Sequence, residues 1–228
     1  HGLQFLAAYT LSKWLDDRTT ITGLQGDATA FAPGDQFHLS LNKGRSDLDR
    51  RHRLVVSGTY DFPTIAKRGA LGHLLSGWEL AWIATFQSGR PFSILDSSGA
   101  SLFGVTTSRA SFAPGATLKT ALRQGPVHRR LNQFFNPAAF VTAGPGFGNA
   151  GRNILTGPDQ RNVDLSLLKR IPVREGQYLE FRAEFFNAFN IVNFANPGSD
   201  IATPATFGVI TQTSTSPRLV QFALRYSF

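Results

Sequence analysis

The chain has 228 residues, which is enough for one or two domains with a hydrophobic core. It contains no Cys, which excludes disulfide bonds and thiolate metal sites, and its formal net charge of +8 comes from scattered basic residues, which argues against a nucleic-acid partner. No run approaches the roughly 18 apolar residues of a membrane-spanning helix, so a soluble β-rich domain and a membrane β-barrel remain as classes. The chain also lacks Met and begins with His1, so we expect it to be cut from a longer one.

Six segments alternate between apolar and polar residues with a period of two, which predicts six β-strands with two different faces. They lie near residues 3–14, 51–62, 77–88, 161–171, 178–189 and 218–228. The fifth segment shows the pattern most clearly, because Leu179, Phe181 and Phe185 alternate with Glu180 and Glu184. Each repeating unit spans about 9 to 11 residues, the length that a tilted strand needs to cross a bilayer.

One face of these strands carries charged residues that a dry core would not accept, because an unpaired buried charge is very costly. We therefore predict that this face lines a hydrated lumen. The predicted lumen-facing residues are Arg53, Asp61, Glu79, Asp164, Glu180, Arg182, Glu184 and Arg225. The opposite face carries aromatic residues near the strand ends, as expected for interfacial girdles. These residues are Tyr9, Tyr60, Phe62, Trp78, Phe86, Tyr226 and Phe228.

The connections between the predicted strands alternate in length. Residues 172–177 form a short turn and residues 63–75 a modest one, whereas the other three connections are long and rich in Gly, Pro, Ser, Thr and Asn. The long connections cover residues 15–50, 88–160 and 190–217. Loops above about 12 to 15 residues are uncommon in compact soluble domains, and alternation of short turns with long loops is typical of outer-membrane barrels. A soluble antiparallel sheet with one buried face would give the same period of two.

The glycines at positions 146, 148 and 151 have the spacing of a dinucleotide-binding loop. That loop requires a helix opening at the third glycine and an acidic residue roughly 20 positions later. Here Gly157 and Pro158 interrupt any helix, and Asp164 is too close. We interpret the segment as the flexible end of an external loop that turns back into the fourth strand.

Other candidate chemistry is weak. The carboxylate pairs Asp16 with Asp17 and Asp47 with Asp49 lie in the first long loop without a His at ligand spacing, so we interpret them as solvated loop charges. The five His form no metal-binding pattern. We therefore predict no catalytic, cofactor or metal site, and no enzyme.

The last strand, "PRLVQFALRYSF", resembles the C-terminal assembly signal of bacterial outer-membrane barrels, with Phe222, Leu224, Tyr226 and Phe228 at the matching positions. Further stretches, "GWELAWIATFQSGRPFSI", "FGNAGRNILTGPDQRNVDLSLLKR" and "FRAEFFNAFNIVNFANP", strengthen the likeness. Together they resemble the C-terminal barrel region of TonB-dependent receptors, especially the Oar-like group that carries a carboxypeptidase-regulatory-like domain.

The resemblance implies an all-β, antiparallel transmembrane barrel of about 22 strands in the bacterial outer membrane, of which this chain supplies about six. The plug and the TonB-contacting segment would lie outside the chain. The implied partners are outer-membrane lipid, the barrel-assembly machinery, the TonB complex through the plug, and an unidentified external ligand; no cofactor and no nucleic acid are expected. Two alternatives stay open, which are a passive porin or autotransporter-type barrel, and a soluble β-sandwich binding or adhesion module.

Overall fold

The computed structural model describes residues 2–17, 38–63, 72, 76–100, 102 and 107–228. Six strands form one antiparallel sheet in which each strand is hydrogen-bonded to the next along the chain. They are β1 (Leu3–Leu11), β2 (His52–Asp61), β3 (Trp78–Gln87), β4 (Gln160–Arg174), β5 (Gln177–Phe186) and β6 (Leu219–Ser227). Each of the six alternating segments overlaps one of these strands, although β4 and β5 extend beyond their predicted bounds, and the predicted all-β, antiparallel class is confirmed. The sheet is open, with β1 and β6 at its edges.

The β4–β5 hairpin is tighter than the predicted turn. Strand β4 continues to Arg174 and β5 begins at Gln177, so only two residues connect them. Gly176 takes a φ of 77°, a conformation that a short hairpin turn requires and that glycine adopts without strain. The register shifts between Pro172 and Arg174, which accommodates a proline that cannot donate to the ladder.

The connections place short and long segments at opposite ends of the sheet. We call the end with the β4–β5 hairpin the turn end and the opposite one the loop end. The long connections, 12–51, 88–159 and 187–218, all leave from the loop end. The predicted turn at 63–75 lies mostly outside the described residues.

The described parts of the long connections are packed against one another, and we call them the loop layer (residues 12–17, 38–51, 88–100, 102, 107–159 and 187–218). Its core is aromatic. Phe135 is 1% exposed, and its ring centroid lies 5.1 Å from that of Phe207 and 5.8 Å from that of Phe140. The buried hydrophobic cluster comprises Phe92, Ile94, Ala110, Ala121, Phe134, Phe135, Ala139, Phe140, Ala150, Leu155, Phe207 and Ile210. The glycine- and proline-rich connections therefore fold into a layer with its own core.

Short elements hold this layer. Two-residue strands pair Leu15–Asp16 with Gly44–Arg45, Pro91–Phe92 with Leu155–Thr156, Leu95–Asp96 with Ser108–Arg109, and Ser111–Phe112 with Phe140–Val141. The helical turns are an α-helix at Leu118–Ala121 and 3₁₀ turns at Leu39–Asn42, Val127–Arg129 and Pro137–Ala139. None of the helices in the described ranges has the length and hydropathy needed to cross a membrane.

Candidate functional site

The strand register sorts the side chains of the sheet onto two faces. One row in the middle of the apolar face runs across all six strands: Phe5, Gly58, Trp82, Leu165, Phe185 and Val220. Large side chains on this face are exposed on the isolated sheet, among them Phe5 and Leu224 at 68% each. This exposed apolar surface is compatible with lipid and would be unfavourable in water.

Lys169 is an exception on the apolar face. The register places it beside Trp78 near the turn end, and its ammonium lies 5.1 Å from the indole centroid. Its Nζ also donates to the Ser76 carbonyl. The charged group therefore reaches polar backbone at the edge of the sheet while its stem lies on apolar surface.

The polar face brings all eight predicted lumen-facing residues to one side of the sheet, as their positions in the register require. Asp61 lies directly opposite Glu79, and Glu180 lies directly opposite Arg225. Glu180, 7% exposed, accepts hydrogen bonds from Arg170 Nε at 3.2 Å and from Arg182 Nη2 at 3.0 Å. Most charges of β4 and β5 on this face are thus paired across or along strands.

The polar face also carries exposed apolar side chains among its charged residues. Leu6, Ile83, Phe186 and Leu219 all lie on this face and are 68%, 52%, 42% and 58% exposed. A hollow of about 620 Å³ lies beside them, and most of its lining side chains come from the polar face. This surface offers an apolar contact within an otherwise polar wall.

The predicted assembly-signal residues occupy the edge strand β6 and its end. Phe222, Leu224 and Tyr226 lie on the apolar face opposite Ala183, Phe181 and Leu179. The rings of Phe222 and Phe181 stack with centroids 6.1 Å apart. Phe228 follows the strand and is 95% exposed. These four residues therefore form one exposed apolar edge.

A cluster of charges joins the first two long connections in the loop layer. Arg152 forms ion pairs with Asp16 and with Asp47, the second at 3.7 Å. Arg45 Nε donates to Asp49 Oδ2 at 2.8 Å. Asp47 and Asp49 are 7% and 2% exposed, so the interpretation of this pair as solvated loop charge is wrong. Burial is tolerated because each carboxylate has a guanidinium partner.

Asn153 sits at the centre of the same cluster. Its Nδ2 donates to the Arg45 carbonyl at 2.7 Å and to Asp47 Oδ1 at 2.6 Å, and its backbone N donates to Ser93 Oγ at 2.9 Å. Its φ is 52°, a left-handed conformation that Asn tolerates better than most residues. The residue is 2% exposed and holds the two connections together.

Two further asparagines attach the third long connection to the sheet. Asn193 Oδ1 accepts from Arg161 N at 2.7 Å, and Asn193 Nδ2 donates to Arg161 O at 2.8 Å, as a neighbouring strand would. Asn187 N donates to Asp164 Oδ1 at 2.8 Å, while its side chain binds the backbone of Ile191 in both directions. Period-two patterns carry no signal for such contacts.

Asp96 is buried in the loop layer and bound by amides. Its Oδ1 accepts from Ser98 N at 3.0 Å and its Oδ2 from Ala143 N at 2.7 Å. Burial opposes ionisation, but the hydrogen bonds from Ser98 and Ala143 outweigh it and lower the pKa of this carboxyl below its ordinary value of 3.8.

Arg109 is the most buried arginine of the loop layer, at 4% exposed. Burial lowers the pKa of its guanidinium, and the positive charge of Arg152 lowers it further. The glycine-rich segment lies against this residue, because a Cβ on Gly148 would be 1.7 Å from the Arg109 carbonyl oxygen. Ala150 N donates to Ala110 O at 3.0 Å. The segment is therefore packed beside Arg109, and it is not the loose loop end expected from its composition.

Chemistry of other kinds has little support in the geometry. Within the described residues no group of three or more His, Asp or Glu is placed to hold a metal ion. The carboxylates that cluster in the loop layer are taken up by arginines and backbone amides.

An antiparallel meander with a lipid-compatible face, a charged face and long loops at one end is the architecture of membrane β-barrel walls. The chain belongs to the family described as outer membrane beta barrel domain, whose model matches residues 1–221. Membership implies a location in the bacterial outer membrane. Searches of curated proteins and of solved structures gave no match.

Proposed function

We propose that the chain forms the C-terminal wall strands, external loops and assembly signal of a TonB-dependent receptor of the Oar-like group. In this proposal the complete barrel has about 22 strands. The open sheet, whose edges β1 and β6 each lack a second neighbour among the described strands, supports the need for further strands. The apolar face contacts outer-membrane lipid, and the polar face with its eight charged residues lines the lumen.

The observation that carries the receptor assignment is the set of exposed apolar side chains on the polar face. A water-filled porin gains nothing from exposing Leu6, Ile83 and Phe186 to its lumen, since exposed apolar area is unfavourable. A protein plug packed inside the barrel would cover these side chains. The hollow of about 620 Å³ beside them provides the space for a plug segment.

The working cycle follows from this arrangement. An external ligand binds the loop layer, and the TonB complex, which draws on inner-membrane energy, pulls on the plug to admit it. The barrel-assembly machinery inserts the protein through the β6 edge. This mechanism needs no catalytic residue, bound cofactor or nucleic acid, and we propose that the protein is not an enzyme.

The proposal is tested by thiol accessibility in cells. Ile83→Cys is introduced into the full-length protein, in which other thiols are removed, and its reaction with a water-soluble maleimide is compared with and without TonB. A plug over Ile83 predicts slow labelling that accelerates when TonB is active and ligand is present. Ala205→Cys in the exposed loop layer is the matched control and should label equally in both strains.

Fast, TonB-independent labelling of Ile83→Cys would favour the passive porin or autotransporter-type barrel instead. Purification of the full-length protein as a monodisperse monomer without detergent would favour the soluble β-sandwich module.

A further inference from the structure

The arginines of the loop layer differ in how their charges are balanced. Arg152 has Asp16 and Asp47, and Arg45 has Asp49. Arg130 is half-buried and has neither a carboxylate partner nor an acceptor at Nε among the described residues. Its Nη1, however, donates to the carbonyls of Arg123 and Phe134 at 2.7 and 3.1 Å, and its guanidinium lies 4.6 Å from the Phe134 ring centroid.

Arg109 lacks comparable support in the described part of the chain. Its Nη1 makes one long hydrogen bond, at 3.4 Å, to Asn42 Oδ1, and its buried Nε has no acceptor there. The positive charge of Arg152 repels the Arg109 guanidinium. An arginine stays protonated in proteins, so this charge cannot be relieved by losing a proton.

A bound anion would lower the free energy of burying the Arg109 charge. A buried, uncompensated charge is strongly unfavourable, and an oxyanion would supply both the counter-charge and the missing acceptor at Nε. The guanidinium is planar, with donors spaced to match the two oxygens of a carboxylate or phosphate group. A carboxylate or phosphate group accepts from more of the guanidinium donors at once than a single carbonyl does.

The glycine-rich segment packs against the backbone of this residue. A Cβ on Gly148 would overlap the carbonyl oxygens of Arg109 and Ala110. Residue 109 and the segment 146–152 come from the second long connection, and Asn42 comes from the first. The site therefore lies where two external connections meet.

We propose that Arg109 anchors an oxyanion-binding site in the loop layer, which takes a carboxylate or phosphate group. That the anion belongs to the external ligand rests on the receptor function proposed above; the site itself does not depend on TonB. The glycine-rich segment, whose spacing resembled a nucleotide loop, packs against the Arg109 backbone without the helix that a nucleotide loop requires.

The test uses the full-length protein purified from outer membranes in detergent. Sodium phosphate and sodium citrate are titrated separately by calorimetry, against sodium chloride at the same ionic strength. At least one of the two anions should bind saturably. Arg109→Gln should weaken that binding by at least about tenfold, because a charge-assisted pair is lost. Arg129→Gln, which removes the same charge from an exposed position, should bind like the wild type.

Thermal unfolding is measured separately, so that a loss of anion binding caused by misfolding is recognised. In the wild type alone, the effective anion should raise the thermal unfolding midpoint above that in chloride. In anion-poor buffer, Arg109→Gln should unfold no earlier than the wild type, because it removes an unbalanced charge.

The outcomes separate clearly. Binding of phosphate only indicates a phosphate-bearing ligand, and binding of citrate only a carboxylate-bearing one. The proposal is overturned if neither anion binds the protein or raises its unfolding midpoint above that in chloride. It is also overturned if Arg109→Gln binds the anion as tightly as the wild type does. Because no TonB is present, such a failure leaves the thiol-accessibility result for Ile83→Cys untouched.

Discussion

The indole of Trp82 lies over Gly58 on the neighbouring strand, in the middle of the apolar face. The two residues are paired in the β2–β3 register, and a Cβ on Gly58 would lie 2.5 Å from Trp82 Cζ2. It would also lie 2.5 Å from the Gln4 carbonyl oxygen of β1. Glycine weakens a strand interior, but here the ring of a neighbouring residue covers the gap that its missing side chain leaves.

Gly58→Ala should therefore lower the folded level of the full-length protein, because the new methyl group overlaps both contacts. Overpacking of this kind typically costs about 1 to 3 kcal/mol. The measurement is the heat-modifiable fraction in isolated outer membranes. Ser57→Ala, on the polar face of the same strand, is the control, and equal folded levels for the two variants would contradict the proposed overlap.

The faces of the sheet could be predicted from sequence because a strand side chain's face depends only on whether its position is odd or even. Six alternating segments therefore placed Phe5 and Arg53 on opposite faces without knowledge of any contact. Lys169 follows the same rule of position, since it shares the parity of Leu165 and Leu167, but its charge does not match the apolar face. Its ammonium is accommodated there by Trp78 and Ser76 across the strand pair.

The loop layer could not be predicted in the same way. Its core residues, such as Phe135 and Phe207, lie in irregular segments where no period marks the buried side. The only sequence signal was the number of phenylalanines in connections rich in glycine and proline. Nothing in sequence distinguishes Arg109 from the exposed Arg129, because burial depends on which loops meet.

The edge strand β6 predicts an assembly phenotype. Deleting Phe228, or replacing Phe222, Leu224 and Tyr226 with Asp, should reduce the amount of folded protein in the outer membrane, because it removes the exposed apolar edge to which the proposed function assigns the assembly signal. Gln221→Asp with Ala223→Asp changes the opposite face of the same strand and should be milder. Normal amounts of heat-modifiable, membrane-integrated protein after the first set of changes would refute the assembly role.

The assignment of the lipid face can be tested at Leu165 and Phe181. Arg at either position should cost roughly 2 to 4 kcal/mol at mid-bilayer, measured by urea unfolding in lipid vesicles. Ser166→Arg, on the polar face between Ala81 and Glu184, should cost less. If Arg were tolerated at Leu165 while apolar substitutions at Asp164 and Arg182 were not, the two faces would be reversed.

Asn153 should control the order of the first long connection. Asn153→Ala removes the hydrogen bonds to Arg45 and Asp47 and places Ala at a φ of 52°, a left-handed conformation that Ala tolerates less well than Asn. The variant should be cut faster by protease within residues 38–51, while the strands stay intact. Asn132→Ala, elsewhere in the loop layer, is the control, and unchanged cleavage in Asn153→Ala would exclude this linkage.

Asp96 predicts an acid-sensitive segment in the loop layer. Burial opposes its ionisation, but hydrogen bonds from the Ser98 side chain and from the amides of Ala143 and Ser98 lower its pKa in the folded protein. The ionised carboxylate therefore stabilises the fold fully above pH 3.8, the ordinary pKa of the group. This stabilisation is lost as the pH falls below 3.8 and through the lowered value. Hydrogen exchange of these two amides, corrected for the intrinsic rate, should therefore accelerate in that range. In Asp96→Asn, the two amides should be less protected from exchange at neutral pH, and their exchange should change little with acid. Asp17→Asn should behave like the wild type. If acid accelerated exchange equally in the wild type and in Asp96→Asn, the sensitivity would belong to another carboxylate.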